Sequence, residues 1–221
     1  MNKPTIAISM GDPGGIGPEV IVKALADGEL RRSARWRIFG AADALSDAAV
    51  QAGIDPMWWS VAAGSPVAAS AGAHDVVVLD DPTDAVRQAS RSGGAASFRW
   101  VESAIAATKL PAGDPLRADA IVTGPISKEA WSLAGRAKYP GHSELLATRF
   151  NAKRWAMMFV GPRLKVVLAT VHVPLFEVRD RLTIGRVFDA IELGHEACVD
   201  LGIRSPRIAV CGLNPHAGES G

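Results

Sequence analysis

The strongest constraint on the fold is an alternation that recurs along the chain: apolar runs of strand length, each followed by a turn and a stretch of helical periodicity. Thr5–Ser9 (TIAIS) reads as a strand, followed by a Gly/Pro turn and a helix from Pro18 to about Ala26. Proline suits a first helical position, and Glu19 favours the positive end of the helix dipole. Trp36–Phe39, Asp75–Leu79 (DVVVL) and Ala118–Thr123 (ADAIVT) read as further strands, with helices over Ala41–Ala52 and Ser92–Lys109. Trp155–Phe159 and Lys165–Thr170 read as a strand pair, and Arg207–Cys211 (RIAVC) as the last strand. Before it, Val187, Ala190, Ile191, Gly194, Cys198 and Leu201 recur at helical spacing and form one apolar stripe. Short buried strands alternating with helices predict an α/β fold with a largely parallel sheet.

Composition narrows the function classes. The 221 residues are enough for one large domain or two small ones. With 24 Lys+Arg against 23 Asp+Glu the formal net charge is +1, which points to neither nucleic acid nor an anionic membrane. The tryptophans lack basic interleaving and read as core or interface rather than a base-stacking platform. Two cysteines, Cys198 and Cys211, are too few for a disulfide framework or a Cys-rich zinc site, so a reducing compartment is the simplest reading. The N-terminus turns polar after a short apolar run, and no apolar stretch reaches membrane-spanning length. A cytoplasmic protein is expected.

Five motifs could carry chemistry. Gly11-Asp-Pro-Gly-Gly-Ile-Gly-Pro-Glu19 sits between a strand and a helix, where glycines permit close backbone approach and a helix N-terminus favours an anion. Its spacing matches neither the dinucleotide fingerprint nor a Walker A loop, so a plain strand-to-helix turn is the competing reading. Asp12 raises interest, because a turn needs no carboxylate there. Thr123-Gly-Pro-Ile-Ser-Lys128 closes a strand at the end where open α/β sheets gather ligands, although Ser127 could simply cap a helix and Lys128 could be solvated. In Pro140-Gly-His-Ser-Glu144, Ser143 reads as the N-cap of a helix through Leu145–Phe150, which leaves His142 unexplained. Thr170-Val-His-Val-Pro-Leu175 and Asn214-Pro-His216 each place a histidine after a strand and beside a proline. Two imidazoles on neighbouring strand ends could share a divalent cation, though a closed site wants three or four ligands. His74 and His195 read as incidental.

Taken in order, GDPGGIGPE, TGPISK, YPGHSE, LATVHVPL and CGLNPHAGE resemble the 4-hydroxythreonine-4-phosphate dehydrogenase family of vitamin B6 biosynthesis, from Ile6 to Gly221. The resemblance implies the fold of the isocitrate and isopropylmalate dehydrogenases, two α/β lobes around a cleft. It implies lobes at 1–125 and 126–221, both incomplete. The implied reaction is oxidation of the C3 hydroxyl of 4-phosphooxy-L-threonine with NAD or NADP, then decarboxylation to 3-amino-2-oxopropyl phosphate. A homodimer is implied, with each active site at the interface. The family's divalent cation, zinc foremost with magnesium or cobalt as alternatives, is held by three histidines, two of which match His172 and His216. Its substrate-binding His-Thr pair is matched by His142 and Ser143, so the hydroxyl is kept and a methyl lost.

Members of the family continue well past CGLNPHAGE. The resemblance therefore implies a chain truncated at the C-terminus, without the third metal histidine and much of the cofactor site. Two other readings compete. One is a related dehydrogenase of another phosphorylated hydroxy acid or of a cis-dihydrodiol. The other is an inactive fragment or metal-binding module. A phosphate acyltransferase shares the broad architecture and is a more distant third.

Overall fold

A computed structural model of the chain describes residues 3–73, 75–84 and 88–219. His74 lies outside the described residues. The chain divides into two compact units, Met1–Leu146 and Ala147–Gly221.

The first unit is built on a five-stranded parallel sheet. Its strands are β1 (Thr5–Ser9), β2 (Arg35–Gly40), β3 (Trp59–Ala62), β4 (Val76–Asp80) and β5 (Ala120–Thr123), in the spatial order β3-β4-β2-β1-β5. The helices are α1 (Gly17–Ala26), α2 (Gly28–Ser33), α3 (Ala42–Ala52), α4 (Arg91–Thr108), α5 (Lys128–Leu133) and α6 (His142–Arg149), the last crossing the division between units. Proline stands at the start of α1 as the sequence predicts, and Gly53 ends α3 in the left-handed region at φ 64°. Ser90 caps α4, its Oγ accepting from the Gly93 N–H at 3.1 Å. β3 and α2 escape the sequence reading. β3 alternates half-buried and exposed residues at the sheet edge, and α2 buries none of its residues, so neither carries a full apolar signature. The Ala/Gly stretch expected as a surface loop contains a 3-10 segment over Pro66–Ala73.

Topology decides where a ligand can reach this sheet. The chain steps from β1 through α1 to β2 in one direction, then from β4 through α4 back across the sheet to β5. Right-handed crossovers in opposite directions put α1 and α4 on opposite faces. Accordingly α1 packs on α3, while α4 packs on α5 and lies across β1 and β2. The main core fills the space around the sheet with Ala7, Ile38, Leu45, Val77 and Val78 at 0% exposure, each larger aliphatic stabilising by roughly 1.5–3 kcal/mol. The second cluster joins Phe98, Val101 and Ile105 of α4 to Trp131, Tyr139 and Leu145. That cluster holds α5 and the start of α6 in the first unit. The contact division falls at 146/147.

The second unit holds an antiparallel pair, β6 (Met157–Val160) and β7 (Lys165–Leu168), and the helices α7 (Val178–Arg181) and α8 (Ile184–Asp200). Thr183 caps α8 by accepting from the Arg186 N–H at 3.2 Å. Of the predicted stripe, Gly194 and Cys198 are buried and Leu201 is exposed. Arg154 ties the segment before β6 to α8, with Nη1 donating to Asp189 Oδ1 at 3.3 Å and to Glu192 Oε2. Arg207–Cys211 is not a strand: residues 207–211 are exposed and irregular, with Val210 at 61% exposure. A strand needs a hydrogen-bonded neighbour, and this segment pairs with none among the described residues.

Candidate functional site

The loops after β1 and β5 leave the sheet towards opposite faces. Their strands are neighbours, which makes this the switch point where open α/β sheets bind ligands. Two of the five sequence motifs meet here. The Asp12 N–H donates to Pro125 O at 2.8 Å, and a Cβ on Gly11 would lie 2.3 Å from that same oxygen. Gly11 itself has φ 85°, so both sterics and backbone conformation require glycine. Asp12 is buried, and its Oδ1 accepts the Gly14 N–H at 3.1 Å. The carboxylate thus shapes the loop as an Asx turn, which answers the question its presence raises.

From this point α5 carries the site outward. Ser127 Oγ accepts the Ala130 N–H at 3.1 Å and caps α5, while Lys128 is exposed. Trp131 is 1% exposed, and its indole Nε1–H donates to Ser97 Oγ on α4 at 3.0 Å. The ring of His142 stands edge-on to this indole, with centroids 5.7 Å apart at 81°. His142 is the first residue of α6, not a turn residue, and Ser143 lies within the first helical turn rather than capping it.

Nε2 of His142 is buried and has no hydrogen-bond partner. Burial holds the imidazole below its usual pKa, because desolvation penalises the charged form. A neutral imidazole with an unpartnered buried nitrogen has its polar capacity in reserve for a ligand. Ser143, half-buried beside it, adds a hydroxyl. The sequence flagged His142 but not the Trp131 and Ser97 beneath it. Their contacts join residues far apart in the chain, and tryptophan in a core helix carries no functional mark.

His172 and His216 both belong to the second unit. His172 follows β7 on a turn and has φ 54°, a left-handed conformation that a non-glycine residue adopts at a cost on the order of 1–3 kcal/mol. The strand before it is half-exposed rather than buried, and no strand precedes His216. His216 sits in an Asx turn, its N–H donating to Asn214 Oδ1 at 3.0 Å. Its Nδ1 contacts Glu219 Oε1, and the side chain is 75% exposed. A ligating histidine characteristically engages a carboxylate through its other ring nitrogen, so the donor chemistry of His216 suits a metal ion. Among the described residues no three His, Cys, Asp or Glu side chains gather to hold one. His195 is exposed on α8.

Comparison with known proteins places this architecture. The family model described as pyridoxal phosphate biosynthetic protein PdxA matches residues 32–221. A D-threonate 4-phosphate dehydrogenase of Cupriavidus necator is 38% identical over 220 residues, covering 99% of this chain and 64% of that protein. A 4-hydroxythreonine-4-phosphate dehydrogenase of Nostoc sp. is 38% identical over 235 residues, covering 99% of this chain and 60% of that protein. The crystal structure of a 4-hydroxythreonine-4-phosphate dehydrogenase from Klebsiella pneumoniae matches with TM-score 0.79 and 33% identity, over 100% of this chain and 66% of that one. The chain spans a little under two thirds of the length of these relatives. It belongs to the PdxA family.

Proposed function

We propose that this chain contributes the substrate-binding residues and part of the metal site of an NAD- or NADP-dependent dehydrogenase. Its substrate is a phosphorylated four-carbon hydroxy acid. The first assignment is 4-phosphooxy-L-threonine, oxidised at the C3 hydroxyl and decarboxylated to 3-amino-2-oxopropyl phosphate. The observation that carries the reading is His142: a neutral imidazole, backed by Trp131, with one buried nitrogen unpartnered and the Ser143 hydroxyl alongside. In that role His142 and Ser143 hydrogen-bond polar groups of the substrate and orient it. His172 and His216 supply two imidazole ligands to a divalent ion, zinc by donor type, with Glu219 orienting the second. Such an ion, when bound, acts as a Lewis acid on an alcohol or carbonyl oxygen. In this reading the chain holds portions of two α/β lobes, 1–125 and 126–221, and a second copy completes a homodimer with the active site at the interface.

A second substrate has specific support, because relatives named for D-threonate 4-phosphate match this chain as well as those named for the amino acid. The two acids share C3 hydroxyl and phosphate, and the names set a hydroxyl against an amino group at C2. Calorimetric titration with each acid, in parallel with NAD(P)H formation at fixed zinc, separates them. We expect saturable binding of 4-phosphooxy-L-threonine that His142→Ala weakens by at least about tenfold, the loss of one charge-assisted or buried hydrogen bond. Exclusive binding of D-threonate 4-phosphate would move the assignment to that acid, and binding of neither would end it. Zinc uptake that is indifferent to both His172→Ala and His216→Ala would remove the metal assignment. Substrate and metal binding without turnover would instead support a binding module.

A further inference from the structure

The opposite end of the same strands carries a second feature, which the dehydrogenase reading does not use. Lys3, Arg35, Arg37 and Arg117, with Asp114 and Asp119, line a cavity of about 560 Å³ at the amino-terminal ends of β1, β2 and β5. With five residues in β1 at roughly 3.3 Å each, this end lies on the order of 15 Å from the Gly11–Pro125 loops. A ligand here is not a ligand there.

The carboxylates around this cavity are already engaged. Asp119 Oδ2 accepts the Thr5 N–H at 2.9 Å, and its Oδ1 pairs with Arg117 at 3.3 Å. Asp114 Oδ1 accepts the Leu116 N–H at 2.8 Å, and Lys3 pairs with Asp75 at 3.0 Å. Arg35 is half-buried and makes no ion pair among the described residues. Beside it Arg37 is 0% exposed, its pKa lowered to about 10 first by burial and then by the repulsion of Arg35. Asp75 offsets part of that repulsion and Arg37 Nη1 donates to Trp36 O at 3.1 Å, so Arg35 is the guanidinium that the cavity leaves for an anion. A bound anion offsets the rest of the repulsion.

We propose that this cavity binds a phosphate-bearing small molecule, with Arg35 as its principal contact. Four cations against three committed carboxylates, Asp75 included, leave one net positive charge for a phosphate group to meet. Guanidinium forks match phosphate oxygens in bidentate geometry. The volume lies within the roughly 300–1,000 Å³ common for small-molecule sites and exceeds what inorganic phosphate fills, so an organic moiety has room.

The test is calorimetric titration of the whole chain with inorganic phosphate and, separately, with adenosine monophosphate, at low and moderate salt. Saturable binding of either supports the site, and tighter binding of the nucleotide assigns the extra volume to its organic part. Arg35→Ala should weaken binding by at least tenfold while His142→Ala leaves it unchanged, which separates this site from that of the phosphorylated substrate. Arg117→Gln, at the exposed rim, should weaken it several-fold and serves if Arg35→Ala fails to fold. The proposal is overturned if neither compound binds saturably, if the arginine variants that fold bind as tightly as the parent, or if His142→Ala abolishes binding.

Discussion

Desolvation lowers the pKa of His142, and that shift has a thermodynamic consequence whether or not a substrate is present. In the unfolded chain the imidazole titrates near its usual value of about 6.5, and in the folded chain below it. Between these two values the unfolded state binds more protons, so stability rises with pH. The contribution is complete above about 6.5 and is lost as pH falls through the folded value. We expect the urea midpoint to drop between pH 7.5 and 5.5, and to drop less in His142→Gln, followed by tryptophan fluorescence. An equal pH slope in both proteins would show that other groups govern acid sensitivity. Trp131 reports on the same place, since its indole touches the imidazole ring.

Helix caps give a second scale of expectation. Ser127 caps α5, a helix of 6 residues whose Ala130 and Trp131 are buried against α4. Removing its hydroxyl leaves the Ala130 N–H without that acceptor, and Ser127→Ala should cost about 1 kcal/mol. A urea denaturation series reads this as a lowered midpoint at unchanged slope. The cap was legible from sequence, as were β1, β2, β4, β5, α1, α3 and α4, because an apolar run bounded by glycine, proline or serine states both period and boundary. Ser143 misled for an instructive reason: Ser-Glu has the composition of a helix start, yet Gly141 and His142 precede it and α6 begins at His142. RIAVC misled for another. Its residues suit a strand, but pairing belongs to the neighbour as much as to the segment, and a single segment's composition cannot show the neighbour. Of the candidate site, the sequence located the loops and histidines. It could not show that the Asp12 loop rests on the Pro125 loop or that His142 stands against Trp131, since those facts belong to the order of strands and helices.

Among the described residues no helix is long and apolar enough to cross a membrane, yet the second unit leaves large apolar side chains in contact with water. Leu175 is 80% exposed, Phe176 93% and Ile184 91%. Side chains of this kind mark surfaces that associate. We expect the double variant Phe176→Ser, Ile184→Ser to show weaker fluorescence of a bound hydrophobic dye and less self-association in sedimentation velocity. Its unfolding free energy in urea should stay within about 0.5 kcal/mol of the parent's, because neither side chain belongs to a core. A large loss of stability instead would mean that these residues are packed in solution.

The position of β1 between β2 and β5 also bears on how the molecule comes into being. β1 pairs with Arg35–Phe39 on one side and with Ala120–Thr123 on the other. During synthesis the first partner emerges within seconds, whereas the second follows only after the whole of α4. At about 5–20 residues per second, one edge of β1 stays open for roughly ten seconds. During that interval Ala7 and Ile8 present a bare ladder edge of the kind that recruits other chains. A nascent chain halted before residue 120 should therefore depend on chaperones, and one extended past residue 123 should not.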